Sequence, residues 1–238
     1  MNVASIKHEI LEGRGYVLIP EVLSITQANE ARSLVLQHAA QEKQQGKLLI
    51  DGKRERLYSL LYRGKIFEQM VQHPLVLEVV EAILGSEITL GGFSAHILHP
   101  GATEMGVHVD YPYWAMEPPF PKHPVMEVQA IWMVEDFTEN NGAPLFAPES
   151  QKRCSLPSVP DFNRVAQKIT GQAGSVVLSH GLAWHNTSAN TANEPRVSIL
   201  GNYALKFVRP LENPFREARQ EVLDRASPKL KELLSGYD

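Results

Sequence analysis

A chain of 238 residues with 43% hydrophobic content is long enough for a sizeable core. Its net charge of −4 gives no electrostatic footing for nucleic acid or an anionic membrane surface. The single cysteine, Cys154, excludes an intrachain disulfide and suits a reducing, cytoplasmic setting, and neither an 18-residue apolar run nor a signal-peptide pattern is present.

In chain order, Gly15–Pro20 predicts a short strand ended by proline. Ser24 to about Gln44 predicts a helix: Ile25, Ala28, Ala31, Leu34, Val35 and Ala39 recur near helical spacing, with Ser24 as N-cap and Gly46 as stop. Lys53-Arg54-Glu55-Arg56 is a short mixed basic cluster and reads as a solvated loop, as does Gln151-Lys152-Arg153. Pro74–Leu84 predicts a second helix, with proline in its first turn and Gly85 at its end.

From Ile88 the texture changes. Short apolar runs recur between Gly, Pro and Asn punctuation: Ile88–Leu98, Glu127–Val134, Ala143–Ala147, Ser175–Ser179 and Val197–Val208. Strands without helical pattern between them argue for a sandwich or jelly roll and against a doubly wound sheet. Gly91-Gly92 lacks a dinucleotide fingerprint and reads as a strand bulge or a close backbone approach. An amphipathic helix closes the chain over Pro214–Leu234, with a break near Pro228. The expectation is one domain over residues 1–238: a helical part to about residue 85, a β core over about 86–210, and a terminal helix over about 214–234.

The chemistry concentrates in His108-Val109-Asp110, with His185 seventy-five residues beyond Asp110. Nine His and six Asp would give about 0.2 such short triplets by chance, so context has to carry the argument. Two imidazoles and one carboxylate form the facial ligand set of non-haem Fe(II) oxygenases, which leaves coordination positions open. Zinc can use the same ligands, although no His-Glu-x-x-His helix motif occurs. His180 is a rival to His185 five residues upstream, and reads as a loop or supporting group. Arg196 and Ser198 lie two apart on a predicted strand, so they share a face where a guanidinium and a hydroxyl can grip a carboxylate.

His108–Trp114, then Asp136–Gly142, then His185 with Arg196 eleven residues later, resembles the phytanoyl-CoA dioxygenase-like family over roughly residues 10–210. The opening Gly15–Pro20 segment is similar to that family's first strand. The resemblance implies a double-stranded β-helix, a cupin-like jelly roll with flanking helices. It also implies an Fe(II)- and 2-oxoglutarate-dependent dioxygenase that uses O2, hydroxylates a small-molecule metabolite, and releases succinate and CO2.

Carried over by position, it makes His108, Asp110 and His185 the iron ligands and Arg196 the partner of the distal 2-oxoglutarate carboxylate, with Ser198 as helper. Gln129 is a candidate cosubstrate or substrate contact, on one face with Ile131 and Met133. Tyr111, Trp114 and His99 are assigned to the substrate pocket, His99 standing where many relatives have lysine. Asp110 favours hydroxylation over halogenation, because halogenating relatives carry a small residue there.

Departures from the family pattern fall at Val109, at Pro148–Gln151 and at Gly174-Ser175; they bear on the substrate-side loops and leave the reaction class as it stands. Tyr111–Pro124 is expected to form a lid or pocket wall, and the occupant to be a small metabolite sooner than a CoA thioester. Two other classes fit the same residues: a non-catalytic jelly-roll binding protein, and a cupin-like metal enzyme that does not use 2-oxoglutarate. Monomer and homodimer are both compatible with the chain.

Overall fold

The structure, a computed structural model, describes residues 1–212 and 216–235. Helix α1 (Val3–Leu11) and strand β1 (Tyr16–Ile19) open the chain. Helix α2 (Ile25–Gln44) starts on a capping box: the Ser24 side chain accepts from the Gln27 N–H, and the Gln27 side chain accepts from Ser24. It stops where Gly46 takes the left-handed conformation (φ +65°).

The basic cluster read as a solvated loop is instead strand β3 (Arg54–Leu57), hairpin-paired with β2 (Leu49–Asp51). No apolar alternation announces β3, because its two faces take different partners. Glu55 and Leu57 are buried, and Leu57 belongs to the core against the helices. Arg54 and Arg56 occupy the opposite face.

Helix α3 (Lys65–Val71) and helix α4 (Pro74–Leu84) follow, the latter ended by Gly85 at φ +87°. The long strand β4 (Ile88–Leu98) comes next. Strand β5 (Glu127–Met133), β6 (Pro144–Phe146), helix α5 (Val159–Val165), β7 (Gln167–Lys168), β8 (Val176–His180), β9 (His185–Thr187) and β10 (Arg196–Leu205) complete the core. One helix, α5, therefore interrupts the strand series; at seven residues it is too short to show a helical period. The terminal helix is two, α6 (Arg216–Arg225) and α7 (Pro228–Leu234), broken at the expected proline with Ser227 capping Leu230. The expected start at Pro214 lies outside the described residues.

Seven strands form one sheet in the order β1-β8-β5-β10-β4-β3-β2, and three form a second in the order β7-β6-β9. Every pairing is antiparallel. Tyr16, Ile131, Met133 and Val177 of the large sheet pack with Phe137, Ala143 and Phe146 at the small one, which makes the jelly-roll interior. The other face of the large sheet is covered by α1, α2, α4 and α7, burying Val128, Ala130, Trp132, Val176, Leu178, Val197 and Ile199. Each of the valine, leucine and isoleucine side chains among them contributes about 1.5–3 kcal/mol.

Strand β5 is thus buried on both faces along its whole length, and this explains its nearly continuous apolar run. The exceptions, Glu127 and Gln129, lie on the inner face, where a buried polar group needs a partner. The expected bulge is present at Gly91: Asn202 pairs with Gly92 and Tyr203 with Leu90, skipping one residue. The freed Gly91 carbonyl accepts from the N–H groups of Leu211 and Glu212, and so draws the segment after β10 across the end of β4.

Candidate metal centre and its cavity

His108 and His185 are far apart in sequence and joined by backbone. The His108 N–H donates to the His185 carbonyl (3.0 Å) and the His185 N–H to the His108 carbonyl (3.1 Å), an isolated antiparallel bridge. Two residues on, the Asp110 N–H donates to the Gly181 carbonyl (2.8 Å), fixing the carboxylate by its main chain. One potential ligand atom from each of His108, Asp110 and His185 falls within 4.8 Å of the other two.

The tautomers follow from local hydrogen bonds. Nδ1 of His108 lies 2.9 Å from the Gly106 carbonyl, and Nδ1 of His185 lies 2.9 Å from the Ala183 carbonyl. A carbonyl accepts only, so each Nδ1 carries the proton and each Nε2 keeps its lone pair. Metal-ligating histidines are commonly oriented in this way. Burial lowers both imidazoles to about 4, so both are neutral at pH 7. Burial pushes the Asp110 carboxyl up, against the opposing influence of His108 and a hydrogen bond from Gln129. Its Oδ1 accepts from Gln129 Nε2 (2.9 Å), while the buried Oδ2 has no hydrogen-bond partner. Two neutral nitrogen donors and an orphaned carboxylate oxygen converging on one point fit a divalent cation such as Fe(II).

The other residues singled out from sequence divide clearly. Gln129 shares the inner face with Ile131, as alternation predicted, and its amide donates to Asp110, so in this structure it holds a candidate ligand in place. Tyr111 and Trp114 reach the cavity, their rings 5.6 Å apart, and Trp114 is 52% exposed at the rim. Of Tyr111–Pro124 only Tyr111 and Trp114 line the cavity; the segment includes a short 3-10 turn, and the buried Tyr113 hydroxyl accepts from the Met126 N–H.

Arg196 and Ser198 are buried at the start of β10, on the face shared with the cavity residues Leu200 and Asn202, yet neither lines the open cavity itself. The Arg196 guanidinium lies 4.5 Å from the Phe137 ring centroid and donates from Nη2 to the Gly142 carbonyl; its buried Nε has no partner.

The structure does not bring His99 to the cavity. It sits 3.1 Å from Glu55 on the far side of β3, where Lys43 also pairs with Glu55. His180 is also outside the cluster: its Nδ1 accepts from the Leu182 N–H (2.9 Å), and burial lowers it to about 4.

The three candidate ligands open into a cavity of about 720 Å³. That volume suits a small-molecule site. Sequence reading missed several of its residues. Arg56 and His96 face each other in register on β3 and β4. Asn186 accepts from the Gly106 N–H and so ties the loop before His108 to β9. Glu127, behind Asp110, is fully buried, and burial followed by the Asp110 charge pushes it well up. Two polar positions in an otherwise apolar β5 were the one available signal for Glu127 and Gln129.

Glu212 closes the end of the cavity beside Gly92, where a Cβ would meet its carboxylate at 3.2 Å. Burial raises it to about 7, against hydrogen bonds from the Ser59 and Phe93 N–H groups and the Ser94 hydroxyl. The folded protein therefore holds this proton more tightly than the unfolded chain does. Stability from this group is greatest below the ordinary 4.5 and falls as pH rises to about 7. The full loss is on the order of 3 kcal/mol. Glu212→Gln is expected to flatten the pH dependence of urea unfolding between pH 5 and 8; an unchanged slope would refute the assignment.

Comparison with known proteins gives a consistent set. The family profile for Phytanoyl-CoA dioxygenase matches residues 11–198. A curated Aspergillus fumigatus protein, "Dioxygenase af480", is 30% identical over 233 residues, covering 94% of this chain and 74% of its own. An uncharacterized Mycobacterium tuberculosis protein is 22% identical over 233 residues, covering 94% of this chain and 83% of its own. Among solved structures, the non-heme alpha ketoglutarate dependent epimerase SnoN from nogalamycin biosynthesis superposes with a TM-score of 0.67 at 18% identity, covering 85% of this chain and 80% of that one. Its complex with Fe3+, alpha ketoglutarate and nogalamycin RO gives a TM-score of 0.69 at 16% identity, covering 91% and 88%. At these identities the structural likeness establishes the jelly-roll fold. The family profile and the curated dioxygenase carry more.

Proposed function

Because the chain belongs to the phytanoyl-CoA dioxygenase family of Fe(II)- and 2-oxoglutarate-dependent oxygenases, we propose that its cavity hydroxylates an unactivated C–H bond of a small-molecule metabolite, with release of succinate and CO2. The observation that carries this reading is the ligand cluster: two imidazoles with Nδ1 committed to carbonyls, and a buried carboxylate oxygen without a partner, all opening into one cavity. His108, Asp110 and His185 would hold the iron, which supplies the oxidising chemistry when bound.

The rest is the work of the chain's own residues. Gln129 holds Asp110 by its Oδ1 and leaves Oδ2 free for the metal. Arg196, with Ser198 on the same strand face, takes the distal carboxylate of 2-oxoglutarate. Tyr111 and Trp114 flank the substrate at the cavity mouth. A carboxylate at Asp110 fills the position that a halide would need, which favours oxygen transfer. No described helix is long and apolar enough to cross a membrane, and the lone free cysteine suits a cytoplasmic enzyme.

The direct test is anaerobic calorimetry of the wild-type protein with Fe(II) and then 2-oxoglutarate. Aerobic incubation with a metabolite panel follows, scored for succinate and for products carrying one added oxygen. A protein that binds neither iron nor 2-oxoglutarate would end this reading. Stoichiometric succinate with an oxidised product lacking the added oxygen would keep the enzyme class and replace the hydroxylation.

A further inference from the structure

Arg56 is a cation in the cavity wall without a counter-charge. It lines the cavity together with Met105, His96 and His108. Its one recorded hydrogen bond runs from Nη2 to the Met105 sulfur, 3.4 Å away, a weak acceptor. None of the ion pairs among the described residues includes it.

The contrast with its strand neighbour is direct. Arg54, two residues earlier on the same face, has both terminal nitrogens engaged, by the carbonyls of Thr103 and Glu104, the Thr103 hydroxyl and Asp51. The neighbouring carboxylate, Glu55, points to the opposite face, where it pairs with Lys43 and His99. Strand alternation thus sends one arginine of the cluster to a structural task, the acid to the buried face away from the cavity, and the second arginine into the cavity unpaired.

Its position is set by register. Met133, Ser198, His96 and Arg56 form one row across β5, β10, β4 and β3. Arg56 therefore sits in the same row as Ser198, two strands away, while Arg196 lies one step along β10, where its guanidinium is committed toward Phe137 and Gly142. The two guanidiniums serve different parts of the interior: Arg196 is at the closed end and Arg56 faces the open volume. An arginine stays charged at any physiological pH, and its planar fork matches a carboxylate or phosphate. A partly buried guanidinium with its donors turned into a cavity is most stable when an anion fills that place.

We propose that Arg56 is a second anion-binding residue of this cavity, taking a carboxylate-class group of a bound ligand next to the metal centre. The inference deepens the proposed function and rests on Arg196 taking the distal carboxylate of the cosubstrate. Two molecules could present the group: the primary substrate, or 2-oxoglutarate through its metal-side carboxylate.

Calorimetry on the Mn(II)-loaded protein separates them, using wild type, Arg56→Met and Arg56→Lys. N-Oxalylglycine, a non-reactive 2-oxoglutarate analogue, is titrated alone. Phenylacetate and its neutral counterpart 2-phenylethanol are then titrated at saturating N-oxalylglycine, and phenylacetate also without it.

Arg56→Met is expected to weaken binding of the anion by roughly 10- to 100-fold, as for loss of a charge-assisted hydrogen bond. Binding of 2-phenylethanol should stay unchanged, and Arg56→Lys should recover part of the loss. Loss confined to phenylacetate assigns the site to the substrate; loss confined to N-oxalylglycine assigns it to the cosubstrate. Equal binding of both anions by wild type and Arg56→Met, at matched thermal midpoints, overturns the proposal, as does a wild type that takes neither anion. If wild type rejects N-oxalylglycine but binds phenylacetate through Arg56, the 2-oxoglutarate reading fails and the anion site stands.

Discussion

Asp110→Ala is expected to abolish succinate formation and to weaken Fe(II) binding by more than 100-fold, while leaving the fold in place. Loss of an outer partner of a metal ligand typically costs about 10–100-fold, and loss of the ligand itself costs more. The fold should survive because Asp110 is held by its main chain: its N–H donates to Gly181, and that bond needs no side chain. The carboxylate is also a burden to the metal-free protein, being buried with one oxygen unpartnered. The thermal midpoint of the metal-free variant should therefore hold or rise.

His108→Ala and His185→Ala should lose iron in the same way, since the bridge between them is also made by backbone. Equilibrium dialysis with Fe(II) under anaerobic conditions, run beside circular dichroism, reads both halves of the prediction. Iron binding at wild-type strength in a folded Asp110→Ala protein would remove the metal centre from these residues. That outcome would favour a non-catalytic binding role.

Arg196→Met should raise the dissociation constant for 2-oxoglutarate by about 100-fold or more and leave iron affinity unmoved. Breaking a buried charge pair by removing one partner costs about 3–5 kcal/mol, which sets that scale. Burial lowers the guanidinium to about 10, opposed by the charge of Glu135, so it remains a cation at pH 7. Its Nε has no acceptor in the protein. Without a carboxylate to meet it, the charge is a cost to folding, so the variant should be no less stable than wild type in the absence of 2-oxoglutarate. Calorimetry with N-oxalylglycine reads the affinity, and Fe(II) dialysis is the control. Full activity in Arg196→Met without any 2-oxoglutarate requirement would point to a metal enzyme of the cupin-like kind.

These two variants test different connections between sequence and site. His108 and Asp110 are adjacent enough to be seen as a pair in the chain, and His185 with Arg196 follows at an interval that the family keeps. Position along the sequence was enough to propose all four, and the structure brings the first three into one cluster. Gln129 was legible only by parity: an amide at every second position with Ile131 and Met133 had to face the interior, yet its partner, Asp110, comes from another segment. His99 misled because it stands where many relatives have lysine, whereas its side chain is taken by Glu55. Arg56 was read as solvent-facing because a strand with arginines on one face and Glu55 and Leu57 on the other has no apolar period to betray it.

By itself, the sequence determined the class of fold, the ends of α2 and α4, an irregularity at Gly91-Gly92, and the candidate iron ligands. Each of these depends on local chemistry: caps, positive-φ glycines, alternation, and donor atoms at fixed spacing. Only the tertiary structure decided which nitrogen of each histidine is free, which oxygen of Asp110 is unpartnered, and which arginine of the cluster turns inward. The histidine tautomers depend on carbonyls only two residues back, but on their orientation in the folded loops. Asp110 and Arg56 are set by partners 19 and 40 residues away, Gln129 and His96, and pairing across a sheet leaves no trace in the order of residues on either strand.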